Sequence, residues 1–333
     1  MRPLVSILIP AYNADSWIAE TMRSAVGQTW SNKEIIVVDD GSRDRTFAVA
    51  QRFQASNVKV VTQPNGGAAA ARNHAFSLAQ GDYIQWLDAD DLLGQTKVED
   101  QVNVSERIGD PRLLMSGPWG HFRCRPSRAR FRRTPLCGDL SPVEWLFRKM
   151  DQNLHMQTAT WLSRRELLEA TGDWDPAMHV DDDGEYFTRA MLASSGVSFV
   201  PTAKVFYRIT TSRRVSFIGR NPSKIQAMFR SIQLHVERLL SLEDSPRTRQ
   251  ACVNYINTWR MHFYPERPDL MKQLSAMATD LGGALLPPRF RRNYAWLEPL
   301  IGPGKTKQAQ LLLRQFRSQI AYSMDRALLR LHL

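Results

Sequence analysis

The chain has 333 residues, 43% hydrophobic and 23% charged, with a formal net charge of +11; it is long enough to bury a large core and too apolar to be disordered. No uninterrupted apolar run approaches the roughly 20 residues of a spanning helix, and the first run, Val5 to Ile9, stops at Pro10, so neither a membrane span nor a secretory leader is expected. Cys124, Cys137 and Cys252 are odd in number and far apart, which excludes a disulfide framework and paired CxxC zinc ligands and suits a reducing cytoplasm, while the positive charge points to anionic partners without choosing among them.

Through the first hundred residues short apolar runs alternate with helical patterns, which predicts βαβ units and a mostly parallel sheet. Val5 to Ile9 is apolar at nearly every position, as strands covered on both faces are. Segment 15–28 puts Trp17, Ile18, Met22, Ala25 and Val26 on one helix face, with Asp15 or Ser16 as cap. Strand 34–40, helix 45–54, strand 58–63, helix 68–80 and strand 82–90 follow on short connections.

From 111 to 215 the pattern is less regular and contains RCRPSRARFRR (123–133), expected as a solvated loop, with contact to an anionic acceptor or lipid headgroup as its second use. Beyond 222 helical stripes return: Ile225, Met228, Phe229, Ile232, Val236 and Leu239, then Val253, Ile256, Trp259 and Phe263. In the last segment Leu312, Phe316, Ile320, Met324, Ala327 and Leu331 lie opposite Arg314, Arg317 and Arg330, a face that suits packing and a membrane interface equally. The expected organisation is two halves of one α/β unit, 1–110 and 111–220, with a helical C-terminal extension, 221–333.

In open α/β sheets ligands bind beyond the carboxyl ends of the strands. Those ends carry Pro10 to Asn13, Asp39 to Ser42, Asn65 to Gly67, and Asp88 to Asp91. Asp88 and Asp90 offer the oxygen ligands that magnesium and manganese take, substrate phosphates and water completing the shell; the plainer alternative is acids capping whatever follows the strand. Asp39 or Asp40 can accept from the N3–H of a uracil or from ribose, and Tyr12 can stack on a base. The Gly66–Gly67 turn offers helix-terminal amides to a phosphate, with Arg72 further into the same helix. Each feature alone has a bland explanation; four of them on one sheet edge do not.

Taken together, PAYN (10–13), SAVGQTWSNKEIIVVDDGSRDRT (24–46), NGGAAAARNHA (65–75) and GDYIQWLDADD (81–91) resemble the nucleotide-sugar half of the family 2 glycosyltransferases, over roughly residues 3–95. The resemblance implies the GT-A fold and an inverting transferase that uses a nucleoside-diphosphate sugar, a UDP-sugar first, with Mn2+ or Mg2+. Carried over by position, it assigns Pro10, Ala11, Tyr12, Asn13 and Asp40 to the nucleoside and Gly67 and Arg72 to the diphosphate side. Asp88, Ala89 and Asp90 become the D-x-D, Asp88 and Asp90 being its metal contacts.

Inversion also needs a proton acceptor. In GDWDPAMHVDDDGEYFTRAML (172–192) the family pattern, registered on Arg189, makes Asp182 and Asp183 the acidic pair and Asp183 the base, with Asp182 the alternative. A helix dipole is a competing reason for Asp181 and Glu185. Many relatives carry a histidine after this helix that completes the metal shell; VFYRITTSRRVS (205–216) has none, leaving Arg208, Arg213 or Arg214 to neutralise the departing diphosphate.

The implied acceptor is a glycan or lipid-linked sugar in surface polysaccharide or glycoconjugate synthesis, cytoplasmic, with peripheral contact at the inner face of the plasma membrane through the basic C-terminal helix. Nucleic acid is not expected, because no recognition motif surrounds the arginine run. Two rivals stand beside this: a nucleotidyltransferase making an activated sugar, which would need a Gly-rich basic loop where PAYNADSW stands, and an inactive basic membrane or nucleic-acid adaptor, which would leave the acidic motifs without a purpose.

Overall fold

The computed structural model describes residues 2–210, 218, 221–290 and 292–330. The chain opens with β1 (Val5–Ala11), α1 (Ile18–Val26), β2 (Lys33–Asp39), α2 (Thr46–Gln51), β3 (Val58–Thr62), α3 (Ala68–Leu78) and β4 (Tyr83–Trp86), the alternation read from the sequence. It continues through β5 (Leu92–Leu93), α4 (Lys97–Ile108), β6 (Leu113–Ser116), β7 (Trp119–Phe122), β8 (Arg130–Phe131), α5 (Pro142–Asp151), β9 (Leu162–Arg164), α6 (Arg165–Thr171), α7 (Asp182–Ala193), β10 (Gly196–Phe199) and β11 (Val205–Arg208). Helices α8 (Pro222–Leu242), α9 (Pro246–Trp259), α10 (Pro268–Asp280), α11 (Arg292–Ala295) and α12 (Glu298–Arg330) follow, α12 being broken at Gly302, whose φ is 77°.

Among the described residues the main sheet has the order β10-β6-β9-β4-β1-β2-β3. It is parallel except for β9, which runs antiparallel to β4 and β6. Strands from the first hundred residues and from the less regular middle therefore share one sheet. A second sheet, β5-β11-β7-β8, leaves the main one at β5, directly after the acidic turn.

Strand alternation distributes the side chains to two covered faces. Ile7, Ile9, Ile35 and Val37 join Ile18, Met22, Val98 and Val102 of α1 and α4 in one core. Leu8, Ile36, Val38, Ile84 and Trp86 join the side of α3 and the helices α5 to α9 in the other. Both faces are covered, so the strands read as unbroken apolar runs.

Two boundaries differ from the sequence expectation for local reasons. Helix α1 starts at Ile18 with Trp17 as its cap residue and no side-chain cap bond. Asp15 and Ser16 do not cap it because the preceding segment is committed elsewhere: the amides of Asn13, Ala14 and Asp15 donate to Ser42 Oγ, Thr46 Oγ1 and Asp44 Oδ2. Strand β4 ends at Trp86, and Asp88 to Asp91 form a turn closed by the Asp91 amide on the Asp88 carbonyl at 3.1 Å.

Candidate active site

At the end of β1, Tyr12 is 47% exposed, which leaves its ring face open. Pro10 is half-buried and Ala11 buried. Asn13, in left-handed backbone at φ 49°, clamps the next loop: its amide donates to Ser42 Oγ and its Oδ1 accepts from the Arg43 amide.

The two aspartates ending β2 differ sharply. Asp40 accepts from Gln63 Nε2 (2.8 Å), Asn65 Nδ2 (3.1 Å), and the amides of Gly66 and Gly67 (2.8 Å each). A carboxylate has about four acceptor positions, so Asp40 has none left for a nucleoside, contrary to the assignment carried over by resemblance. The same bonds consume the Gly66 and Gly67 amides expected to meet a phosphate; the Asp40 carboxylate occupies that anion position itself. Gly41 makes the approach possible: with φ 69°, it would place a Cβ 3.0 Å from the Asn65 nitrogen. Asp39 is buried as well, yet only its Oδ2 is engaged, by the Ser42 amide and Thr62 Oγ1, while Oδ1 faces no donor.

Arg72 of α3 is the hub. Its guanidinium donates to Asp88 Oδ1 at 2.9 Å through Nη2 and to Asp182 Oδ2 at 2.6 Å through Nη1, with the side chain only 7% exposed. It also lies 4.2 Å from the Trp174 ring centroid, and Trp174 is stacked at 4.0 Å on Tyr186. Asn73, its neighbour on α3, exchanges two 2.9 Å hydrogen bonds with the Trp174 backbone. Helix α3 thus fastens the GDWDP segment and the start of α7 to the acidic turn after β4. The two carboxylates hold Arg72 firmly charged, against the cost of its burial.

Asp88 and Asp90 are half-buried on that turn, whereas Asp91 is fully buried. Asp91 accepts from Gln157 Nε2 at 2.5 Å and from the Arg208 amide at 2.8 Å. Burial, then the charges of Asp90 and Asp88, push the Asp91 carboxyl well above the usual carboxylate range. Ala89 is buried and its carbonyl takes the Thr21 hydroxyl, so it spaces the two carboxylates and anchors the turn. The pair Asp88 and Asp90 fits a magnesium or manganese ion as two hard oxygen ligands. Among the described residues no third His, Cys, Asp or Glu converges with them, so substrate oxygens and water would complete the shell.

Arg208 does not face a leaving group. It is buried between Trp17 and Phe122, 4.7 and 4.4 Å from their rings, and donates to the Asp90 carbonyl, the Arg123 carbonyl and Glu20. Arg213 and Arg214 lie outside the described residues.

At the start of α7, Asp182 is spent on Arg72, but Asp183 has only its Oδ1 engaged, by the Gly184 amide at 2.9 Å. Burial, followed by the charges of Asp182 and Asp181, pushes the Asp183 carboxyl up to about 7. A carboxyl titrating there is suited to take a proton near neutrality. Asp181 itself adopts left-handed backbone at φ 54° and bonds Ser231 Oγ of α8. Glu185 is gripped by Arg189 and Arg238, the latter also from α8. The two clamps from α8 join residues about fifty apart in sequence and have no linear signature.

The arginine run 123–133 is only partly a solvated loop. Arg125 is ion-paired at 3.0 Å with Asp325 of α12, whose carboxylate also takes the Cys124 amide. Next to it Tyr322 meets Trp17 edge-on at 6.4 Å. The opposite face of α12 projects outward: Leu312, Phe316, Ile320 and Met324 are 44–62% exposed. Leu331 and the side chains of Arg314, Ala327 and Arg330 lie outside the described residues. No helix among the described residues is long and apolar enough to cross a membrane.

Residues 6–153 match the family described as Glycosyl transferase family 2. An uncharacterised glycosyltransferase of Rickettsia felis is 37% identical over 248 residues, 73% of this chain and 41% of the relative. Chondroitin synthase of Pasteurella multocida is 44% identical over 99 residues, 29% of this chain and 10% of that protein. The chain spans under half the length of these curated relatives. The solved structure of S. aureus TarS 1-349 in complex with UDP-GlcNAc aligns at a TM-score of 0.67 with 16% identity, covering 83% of this chain and 81% of that one. The fold is accordingly the GT-A α/β arrangement.

Proposed function

Because residues 6–153 belong to glycosyl transferase family 2, we propose that the chain transfers a sugar, with inversion, from a nucleoside-diphosphate sugar to a hydroxyl of a glycan or lipid-linked acceptor. The observation that carries this is the Arg72 bridge. It unites Asp88, on the turn suited to a metal and diphosphate, with Asp182, the neighbour of Asp183, whose carboxyl is raised to about 7. The acidic turn and the start of α7 are therefore held by one guanidinium.

On the donor side, Tyr12 stacks on the base and Asp39 Oδ1, buried without a donor, accepts a nucleobase N–H such as the uracil N3–H. Asp40 supports this from behind by ordering the 63–67 turn. A divalent ion bound by Asp88, Asp90 and the diphosphate would neutralise the charge that develops on the leaving group. The acceptor oxygen attacks the anomeric carbon opposite the diphosphate; as that C–O bond forms, the bond to the diphosphate oxygen breaks and its electron pair leaves with the nucleoside diphosphate. The acceptor's proton passes to Asp183. Uridine is the nucleoside of the ligand in the TarS complex, which supports a UDP-sugar as donor.

The outward face of α12 supports a peripheral membrane contact, matching a lipid-linked acceptor. After Glu298 the sequence has a single acid, Asp325, and that acid is turned inward onto Arg125. The exposed apolar stripe is flanked by exposed Arg317 and Arg326, an arrangement for an anionic lipid surface.

The test is a thermal-shift series with UDP-, GDP- and dTDP-sugars, each with and without manganese. One sugar nucleotide should stabilise the protein only when manganese is present. Stabilisation by none of them, with salt-sensitive nucleic-acid binding instead, would refute the reading.

A further inference from the structure

We propose that Trp119, His121, His155 and Tyr207 form a platform for a pyranose ring of the acceptor glycan. The proposal rests on the glycosyltransferase reading and adds to it the surface that receives the second substrate.

The four rings form one cluster. The Trp119 ring lies 4.7 Å from His121, 4.9 Å from His155 and 5.8 Å from Tyr207, and His121 lies 5.5 Å from Tyr207. Register explains three of them: β7 and β11 pair in parallel with Trp119 opposite Val205 and His121 opposite Tyr207. Alternation then sends Trp119, His121 and Tyr207 to one face of the second sheet, and Phe122 and Phe206 to the other. On that other face Phe206 packs on Phe122 and Phe131, and Arg208 covers Phe122. On the first face His121 and His155 are exposed and Trp119 and Tyr207 half-buried.

Position ties the platform to the reaction. Arg208, next to Tyr207, donates to Asp91 and to the Asp90 carbonyl. Gln157, two residues beyond His155, holds Asp91. Desolvation, then the charge of Lys149, lowers the His155 imidazole to about 4, while the charge of Asp181, beside the Asp182–Asp183 pair, acts in the opposite sense. The platform is thus joined, through β11 and the 155–157 segment, to the acidic turn. The second sheet leaves that turn through β5, whereas Tyr12 and Asp39 sit at the ends of β1 and β2, so the platform is separate from the nucleoside side.

Chemistry selects a sugar. Ring faces suit the C–H surface of a pyranose, while indole N–H, imidazole nitrogens and a phenol hydroxyl at their edges suit its hydroxyl groups.

The test is saturation-transfer NMR with methyl β-glucoside, methyl β-galactoside and methyl β-N-acetylglucosaminide in the presence of UDP, on wild type, Trp119→Ala, His121→Ala and Phe131→Ala. Wild type should transfer to at least one glycoside, and Trp119→Ala and His121→Ala should each weaken that signal by about fivefold. Phe131→Ala, on the opposite face of the sheet, should leave it unchanged. His121 is exposed, so its variant keeps the test valid should Trp119→Ala fail to fold. No transfer to any glycoside by wild type, or undiminished transfer in His121→Ala, overturns the platform. UDP affinity, measured by calorimetry on the same proteins, is expected to be unchanged; its absence in wild type would count against the donor reading instead.

Discussion

Arg72 Nη1 lies 2.6 Å from Asp182 Oδ2, joining residues 110 positions apart. With the 2.9 Å bond from Nη2 to Asp88, the pair makes one buried cation the common reference for both halves of the site. It also distinguishes two neighbouring carboxylates: Asp182 is ion-paired with Arg72, and Asp183 is the proton acceptor of the proposed reaction.

Replacing Arg72 should therefore damage catalysis and folding together. Arg72→Lys keeps the charge but lacks the planar fork that spans two carboxylates, and turnover should fall about 100-fold. Arg72→Met leaves Asp88 and Asp182 without their partner and should lower unfolding free energy by about 3 kcal/mol. Denaturant titration and steady-state kinetics check both; wild-type turnover in Arg72→Met would remove the bridge from the mechanism.

Asp183 predicts opposite pH trends for activity and stability. Its carboxyl sits near 7 in the folded chain, against an ordinary 3.8. As base it must be ionised, so turnover should rise as pH increases through about 7. Because the folded value is raised, its stabilising contribution is complete below the ordinary value and is lost as pH rises through about 7. Asp183→Asn should lose turnover by about a thousandfold and melt above wild type at pH 8, with the gap shrinking at pH 5. Melting curves at the two pH values, alongside rates, decide this.

The two aspartates ending β2 should separate by phenotype. Asp40→Asn turns an NH2 toward donors that need an acceptor and should cost about 1–3 kcal/mol of stability. Asp39→Asn should fold normally and bind UDP about tenfold more weakly. Calorimetric UDP titration with denaturant unfolding distinguishes them; the reverse pattern would restore Asp40 as the nucleoside contact.

The outward stripe of α12 should bind anionic bilayers. Co-sedimentation with phosphatidylglycerol vesicles should be strong at low salt and fall at 1 M, where screening reaches about 3 Å. Phe316→Glu should reduce it by about tenfold or more, since a buried Phe contributes about 1.5–3 kcal/mol. Binding that survives this substitution unchanged would place the contact elsewhere.

The sequence by itself determined the βαβ half of the sheet, β1 to β4, and the edge on which the candidate site lies. Apolar runs such as EIIVV, helical stripes and short connections are local patterns with local causes, and polar residues at four strand ends could be aligned before any packing was known. It also placed Asp88, Asp90, Arg72 and the Asp181–Asp183 cluster among the candidates. What only the tertiary structure decided is which of neighbouring, chemically identical groups is free. Asp40 is filled by four donors from residues 63–67, Asp39 keeps an open acceptor, Asp182 is taken by Arg72, and Arg208 is walled in by Trp17 and Phe122. The proposed platform on β7 and β11 likewise depends on a parallel pairing of residues 86 positions apart, which no short-range pattern records. A carboxylate's availability is a property of the donors around it, and those donors arrive from distant parts of the chain.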